Sequence, residues 1–122
     1  MQRTREIPRD AWRTYLEGLG QHEHAHLVRI ETDSAELGAQ PMTESAPLRA
    51  IALEPKGSAK GSIAVEVGRS GEEITHWVGH AERLYVEEDN DGEPAVLDIE
   101  SETEGKTLIF FQKGAEKAPR RH

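Results

Sequence analysis

The sequence contains no cysteine, which excludes disulfide bridges, thiolate metal sites and a cysteine nucleophile. This absence is typical of proteins in a reducing compartment, so we expect the chain to be cytoplasmic. No apolar stretch approaches the roughly 20 residues that a membrane-spanning helix needs, and we expect no membrane insertion. No apolar run follows the basic residues at the start of the chain, so we expect no signal peptide.

Aromatic residues are scarce, at six in 122 residues. The core must therefore rely on aliphatic side chains, each contributing about 1.5–3 kcal/mol when fully buried. A chain of this length fits one domain, so we expect a single domain over residues 1–122, with frayed tails at 1–6 and 114–122. The expected anchors of this lean core are Trp12, Trp77, Phe110 and Phe111.

Charge is unevenly distributed along the chain, whose net charge is −8. Both ends are basic, whereas the segment from Glu82 to Glu104 has ten carboxylates against the single Arg83. Such a field repels phosphate backbones, and no surface pattern mixes basic and aromatic residues, so a nucleic-acid partner is not expected. A well-hydrated strand edge accounts for these carboxylates, and so does a basic protein partner that docks on this acidic edge.

Three short apolar runs between Ile74 and Phe111 are separated by acidic turns, a pattern that predicts an antiparallel meander. Upstream, residues 62–68 alternate between apolar and polar side chains and should pair with residues 74–78 as a hairpin. Residues 26–32 alternate in the same way and predict a further half-buried strand.

One helix is predicted near the N-terminus, from Pro8 to Leu19. Its apolar residues recur at helical spacing and form one stripe, which we expect to face the core. The stripe consists of Trp12, Tyr15, Leu16 and Leu19. The expected fold is therefore α+β: the N-terminal amphipathic helix packs on an antiparallel sheet of five to seven strands, curled into a small SH3-like or Sm-like barrel.

Six histidines invite a metal-binding interpretation. His22, His24 and His26 alternate, so their imidazoles would share one face of an extended strand and could hold zinc or another divalent ion. His76 and His80 would be further ligands. The alternative is that the first three are idle surface residues and that His76 is a buried, hydrogen-bonded side chain, because no motif ties it to a serine or a carboxylate.

Residues 87–92, followed by Asp98, approximate a calcium-binding loop with alternating oxygen ligands and a glycine at the sixth place. The flanking residues alternate as strands rather than as helices. A hairpin turn therefore explains the same residues, and we favour it over a calcium site.

Short motifs shared with a known family are spread along the chain. They are Arg5-Glu6-Ile7-Pro8 with Trp12, His22, Leu37-Gly38-Ala39-Gln40-Pro41, Thr75-His76, Leu97-Asp98-Ile99-Glu100-Ser101 and Thr107-Leu108. Together they resemble a family of short bacterial proteins known as a domain of unknown function. The chain departs from that family at His24-Ala25, where the family has Gly-Trp, and at Phe110, where it has arginine. The resemblance implies one compact domain and no catalytic residues.

No stretch has a catalytic signature, so we assign no catalytic and no cofactor-binding residue. The leading interpretation is a small, soluble bacterial protein, a non-enzymatic binding or accessory module. Its candidate binding surfaces are the acidic edge and residues 33–47, which are rich in glycine, proline and small polar residues and predict a loop. The alternative is a histidine-based divalent-metal-binding protein or a small metal-dependent enzyme.

Overall fold

The computed structural model describes residues 3–54, 61–103 and 105–112. In chain order these residues form β1 (Arg3–Glu6), a 3₁₀ turn (Arg9–Ala11), α1 (Trp12–His22), β2 (Leu27–Ser34), β3 (Gly38–Leu53), β4 (Ile63–Val67), β5 (Ile74–Val78), β6 (Ala81–Glu88), β7 (Pro94–Ser101) and β8 (Gly105–Phe111). The strands make one antiparallel sheet in the order β1-β6-β7-β8-β2-β3-β4-β5.

The α+β class with a mostly antiparallel sheet is confirmed. The described residues form eight strands, however, so the expected number of five to seven is wrong. β1 comes from a segment expected to be a tail, and β3 extends a strand expected at residues 48–53 backwards into a segment expected to be a loop. The SH3-like or Sm-like barrel stays a prediction.

The meander is formed by β6, β7 and β8, which lie side by side as predicted. Val86, Leu97 and Ile109 are neighbours across these three strands, and all are fully buried. Ile30 of β2 extends the row. The predicted hairpin between β4 and β5 is also present, with Val65 opposite His76. Period-two alternation of apolar residues therefore predicted this part of the sheet correctly.

β1 corrects the expectation of a frayed tail at 1–6 for residues 3–6; residues 1 and 2 lie outside the described residues. Arg3–Glu6 pair with β6, with Arg3 opposite Glu88 and Glu6 opposite Tyr85. These four residues are exposed, so no hydrophobic pattern marks them as a strand. The expected tail at 114–122 lies outside the described residues, and the single domain stays a prediction.

β3 corrects the expectation that residues 33–47 form a loop. Gly38–Leu53 is a continuous strand, and its first half pairs with β2 through two register shifts. β4 pairs only with the second half, from Leu48 to Leu53. The first half thus has a strand partner on one side only. Pro41 and Pro47 are tolerated there because proline has no N–H to donate, and a nitrogen that faces the open side of a strand needs no hydrogen-bond partner.

Helix α1 covers the sheet next to β3. Trp12, Leu16 and Leu19 are buried in the common core, as the apolar stripe predicted. A Cβ at Gly20 would lie 3.1 Å from the backbone nitrogen of Ile51, so the helix and β3 pack closely there. No helix in the described ranges is long and apolar enough to cross a membrane.

The four expected anchors have different environments. Trp12 and Phe111 are buried. Phe110 is half-buried, and the guanidinium of Arg29 lies 4.0 Å from the centre of its ring. Trp77 is 54% exposed, so its expected role as a core anchor is wrong. It lies on the edge strand β5, which pairs with β4 on one side and with no strand of the described sheet on the other.

Candidate metal centre

Three potential metal ligands meet where the end of α1 approaches the turn between β6 and β7. His22 is the last residue of α1, Glu23 follows it, and Glu93 directly precedes β7. One ligand atom from each residue lies within 4.8 Å of the other two. His22 Nε2 is 2.8 Å from Glu93 Oε1 and 3.5 Å from Glu23 Oε2.

Glu23 is the fixed member of this cluster. It caps the C-terminus of α1, and its backbone nitrogen donates to the carbonyl oxygen of Leu19 at 2.9 Å. Its side chain is fully buried, and its Oε1 lies 2.7 Å from His26 Nδ1. A buried carboxylate is costly unless it has hydrogen-bonding or charged neighbours. His22 and His26 supply such neighbours, one at each carboxylate oxygen of Glu23.

The turn between β6 and β7 positions Glu93 from the other side. Asp89 Oδ1 accepts hydrogen bonds from the backbone nitrogens of Asp91, at 2.9 Å, and Glu93, at 3.0 Å. Gly92 has a φ of +80°, a conformation that this turn requires and that glycine adopts without strain. The carboxylate of Glu88 is already bound by arginines of β1. These contacts agree with the favoured hairpin interpretation of residues 87–92.

Tyr15 is influenced electrostatically by residues of both β1 and the cluster. Burial raises the pKa of Tyr15 to about 12; Arg5 lowers it, whereas the negative charges of Glu88 and Glu23 raise it further. The guanidinium of Arg5 lies 5.8 Å from the centre of the Tyr15 ring. Tyr15 therefore stays protonated near neutral pH beside the carboxylate of Glu23.

The structure separates the four histidines that the sequence grouped as metal ligands. His22 is helical and His24 lies in a turn, followed by Ala25 with a φ of +71°. Hydrogen bonds of the helix end continue through this segment, so it is not extended and the expectation of one shared strand face is wrong. Of the four, His22 belongs to the three-residue cluster. His26 lies outside it and contacts the other carboxylate oxygen of Glu23.

The remaining histidines lie in other settings. His24 is exposed and lines a groove of about 520 Å³ between α1 and β3. His76 is half-buried in β5, its Nε2 lies 2.9 Å from Thr43 Oγ1, and burial lowers its pKa. The alternative interpretation expected a buried, hydrogen-bonded His76; the hydrogen bond is present, but the side chain is only half-buried. His80 is exposed.

Glu23 and Glu93 were missed in the sequence. Glu23 stands between two of the histidines, so the run His22-Glu23-His24 was its available signal. Glu93 is one of ten carboxylates in the acidic segment, and nothing in its local sequence distinguishes it. Glu93 lies 71 residues after His22 in the chain, and the two side chains meet only because α1 is placed beside the β6–β7 turn.

The fold and this cluster define a small α+β domain, mostly antiparallel sheet, with a mixed histidine and carboxylate group at one helix end. The chain belongs to the family of unknown function DUF5335, whose model matches residues 3–120. It is 28% identical over 116 residues to an uncharacterized protein of the bacterium Aquifex aeolicus (strain VF5), covering 95% of this chain and 97% of that protein. No solved structure matches the chain. The family resemblance noted in the sequence is thus confirmed.

Proposed function

We propose that this protein is a small, non-enzymatic binding module that holds one divalent transition-metal ion, Zn²⁺ foremost, between α1 and the β6–β7 turn. The observation that carries the proposal is the convergence of ligand atoms from His22, Glu23 and Glu93 within 4.8 Å. Imidazole nitrogen and carboxylate oxygen together are a donor set that zinc accepts, with a fourth position for water.

Two of the three separations between ligand atoms, those from His22, are compatible with a tetrahedral ion. Zinc bonds to nitrogen and oxygen are about 2.0–2.2 Å long, so the ligands of a tetrahedral ion are about 3.4 Å apart. His22 Nε2 and Glu23 Oε2 are already 3.5 Å apart. His22 Nε2 and Glu93 Oε1, at 2.8 Å, would separate by a few tenths of an ångström as the ion replaces their hydrogen bond.

The three ligands differ in burial, and this difference favours replacement of the His22–Glu93 hydrogen bond by an ion. The side chains of His22 and Glu93 are about half exposed, whereas Glu23 is buried. His26 holds the carboxylate of Glu23 by its other oxygen, the kind of outer contact that orients a ligand and tunes its affinity. Glu23 thus supplies a fixed ligand, and the two surface side chains adjust around the ion.

Calorimetric titration of the full chain with Zn²⁺ tests the proposal. The wild type should bind one ion, and His22→Ala and Glu93→Gln should each weaken binding by at least about tenfold, the smallest loss typical even of an outer contact that only orients a ligand. His24→Ala is the matched control, since this neighbouring histidine lies outside the cluster. At a free Zn²⁺ concentration 100 times the dissociation constant, the wild type should gain about 2.7 kcal/mol in unfolding free energy.

Two outcomes would overturn this proposal. The first is a wild-type chain that binds none of Zn²⁺, Ni²⁺, Co²⁺ and Mn²⁺. The second is binding that His24→Ala removes as strongly as His22→Ala does, since the ion would then be held by the histidine run rather than by the cluster. Circular dichroism of each variant establishes that a lost signal reflects lost ligands and not an unfolded chain.

A basic protein partner at the acidic meander and a cytoplasmic location also stay predictions. The meander strands β6, β7 and β8 lie inside the sheet, so such a partner would dock on their face or turns and not on a sheet edge. The first is supported by the ten carboxylates between Glu82 and Glu104, among which Asp98 is notable. Burial, and secondarily Glu100, raise the pKa of Asp98, whereas Lys106 of the same chain lowers it; a further cationic side chain beside Asp98 would favour its charged form. The second rests on the absence of cysteine.

A further inference from the structure

The two edge strands of the sheet, β1 and β5, are protected to different extents. An edge strand offers unpaired backbone groups to other chains, and charged side chains are a common protection. β1 has the sequence Arg-Thr-Arg-Glu, so three of its four residues are charged. β5 has the sequence Ile-Thr-His-Trp-Val and contains no acidic residue, lysine or arginine.

The backbone of β5 directs two residues outward. Glu54 nitrogen donates to Ser62 oxygen, so Ser62 bonds towards β3. Along a strand, the backbone N–H and C=O groups of consecutive residues point to opposite sides. The backbone groups of Ile63, Val65 and Val67 therefore bond to β5. Their partners on β5 are, in the same order, Val78, His76 and Ile74. Thr75 and Trp77 lie between those partners, so their N–H and C=O groups point away from the sheet.

Apolar side chains accompany this open edge. Trp77 is 54% exposed and Ile74 is 57% exposed. They account for two of the four large hydrophobic side chains exposed in the described residues, in a chain with six aromatic residues in all. No strand of the described sheet pairs with the outer side of β5. Burial of these side chains would add hydrophobic stabilisation to any new backbone pairing.

The sequence of β5 is self-complementary in the antiparallel sense. If a second copy pairs about a two-fold axis at His76, Thr75 of each copy lies opposite Trp77 of the other. The backbone N–H and C=O groups of these two residues point away from the sheet, so in each pair both residues donate to and accept from one another. The side chain of Trp77 then packs on Thr75 of the other copy.

We propose that this protein forms a two-fold symmetric homodimer in which β5 of one copy pairs antiparallel with β5 of the other, centred on His76, so that the sheet continues across both chains. The interface is isologous, because the same strand serves both copies. The partner is a second copy of this chain, and the dimer does not depend on the metal centre, which lies on α1 and the β6–β7 turn.

Sedimentation equilibrium of the full chain over a concentration series tests the dimer. The wild type should approach twice the chain mass of 13.6 kDa. Thr75→Pro removes an outward N–H that the fold of one chain does not use, and an edge strand accommodates it. Trp77→Lys places a charge on the same edge. Both variants should sediment at the mass of one chain, with circular dichroism spectra like that of the wild type.

Thr4→Pro is the matched control at the other edge. Ile7 nitrogen donates to Leu84 oxygen, so alternation along β1 directs the N–H of Thr4 away from β6. This variant should keep the dimer. Hydrogen exchange gives a second readout: the amides of Thr75 and Trp77 should be protected in the wild type and should exchange at least about tenfold faster in Trp77→Lys, because bonded amides exchange only through opening.

A wild type that stays at the mass of one chain at every concentration would overturn the dimer. So would a dimer that survives both Thr75→Pro and Trp77→Lys, and so would one that Thr4→Pro abolishes, since that result places the interface at β1. If Thr75→Pro does not fold, Trp77→Lys and the exchange rates decide alone, because a side-chain change on an exposed position leaves the strand intact.

Discussion

Arg3 donates a hydrogen bond of 2.9 Å to the carboxylate of Glu88, its partner across the ladder between β1 and β6. Arg5 donates to the other oxygen of the same carboxylate at 3.2 Å. The hydrogen bonds from Arg3, and then from Arg5, lower the pKa of Glu88 below its usual value of 4.5. One carboxylate thus holds a strand that has no buried side chain of its own.

The first prediction concerns the pH dependence of this contact. Because the pKa of Glu88 is lower in the folded state than in the unfolded state, its contribution to stability is fully present above pH 4.5. The contribution is lost as the pH falls through the folded-state pKa. Glu88→Gln should therefore be less stable than the wild type at neutral pH, and the difference should shrink to nothing in acid.

Urea denaturation of both proteins across that pH range measures the two free energies of unfolding. Arg3→Gln, which removes one of the two donors, should give a smaller loss with the same pH dependence. A difference between wild type and Glu88→Gln that stays constant down to strong acid would show that Glu88 acts through packing rather than through its charge.

The second prediction compares the two tryptophans. Trp12 is 1% exposed, and its Nε1 donates to the carbonyl oxygen of Ile7 at 2.9 Å. Trp12→Ala should cost about 3–5 kcal/mol, the range for large-to-small changes in a core. Trp77→Ala should stay within about 0.5 kcal/mol in the monomer, as exposed positions do. Both are measured by denaturation in a Thr75→Pro background, so that dimerisation does not contribute. Equal losses would contradict the assignment of Trp12 to the core.

The third prediction compares two glycines with nearly the same backbone conformation. Gly105 has a φ of +79° and Gly92 a φ of +80°, so alanine is strained at both by about 1–2 kcal/mol. A Cβ at Gly105 would also lie 2.4 Å from the backbone oxygen of Asp33, whereas a Cβ at Gly92 meets nothing within 4 Å. Gly105→Ala should therefore be clearly the less stable variant in thermal or urea unfolding. A Gly92→Ala loss as large as that of Gly105→Ala would contradict the close packing of β8 on β2.

Sequence patterns predicted the fold wherever one face of a helix or strand is buried and the other is exposed to solvent. The apolar stripe of α1 and the alternation in β4, β6 and β7 are of this kind, because burial imposes the period of the element on its side chains. In β8 the run from Leu108 to Phe111 is apolar throughout, and only the structure shows that Ile109 and Phe111 are the buried ones. The patterns failed where this condition is absent. Arg3–Glu6 have no buried face, and the first half of β3 contains prolines and few large apolar residues, yet both are strands through backbone pairing.

Trp77 illustrates the same limit for single residues. Its size favoured burial, but it lies on an edge strand, and the identity of an edge strand depends on the order of the whole sheet. The two edges come from β1 and β5, which are far apart in sequence. Nothing within Ile74–Val78 itself records that position.

The sequence by itself determined the family, the α+β class, the helix and the meander, because these follow from local periodicity and from motifs read in place. The tertiary structure alone decided which side chains meet. His22 and Glu23 are adjacent in the chain, but Glu93 reaches them only because α1 packs beside the β6–β7 turn. His24 is equally close in sequence and lies outside the cluster, since the helix ends at His22 and the turn that follows directs each side chain differently.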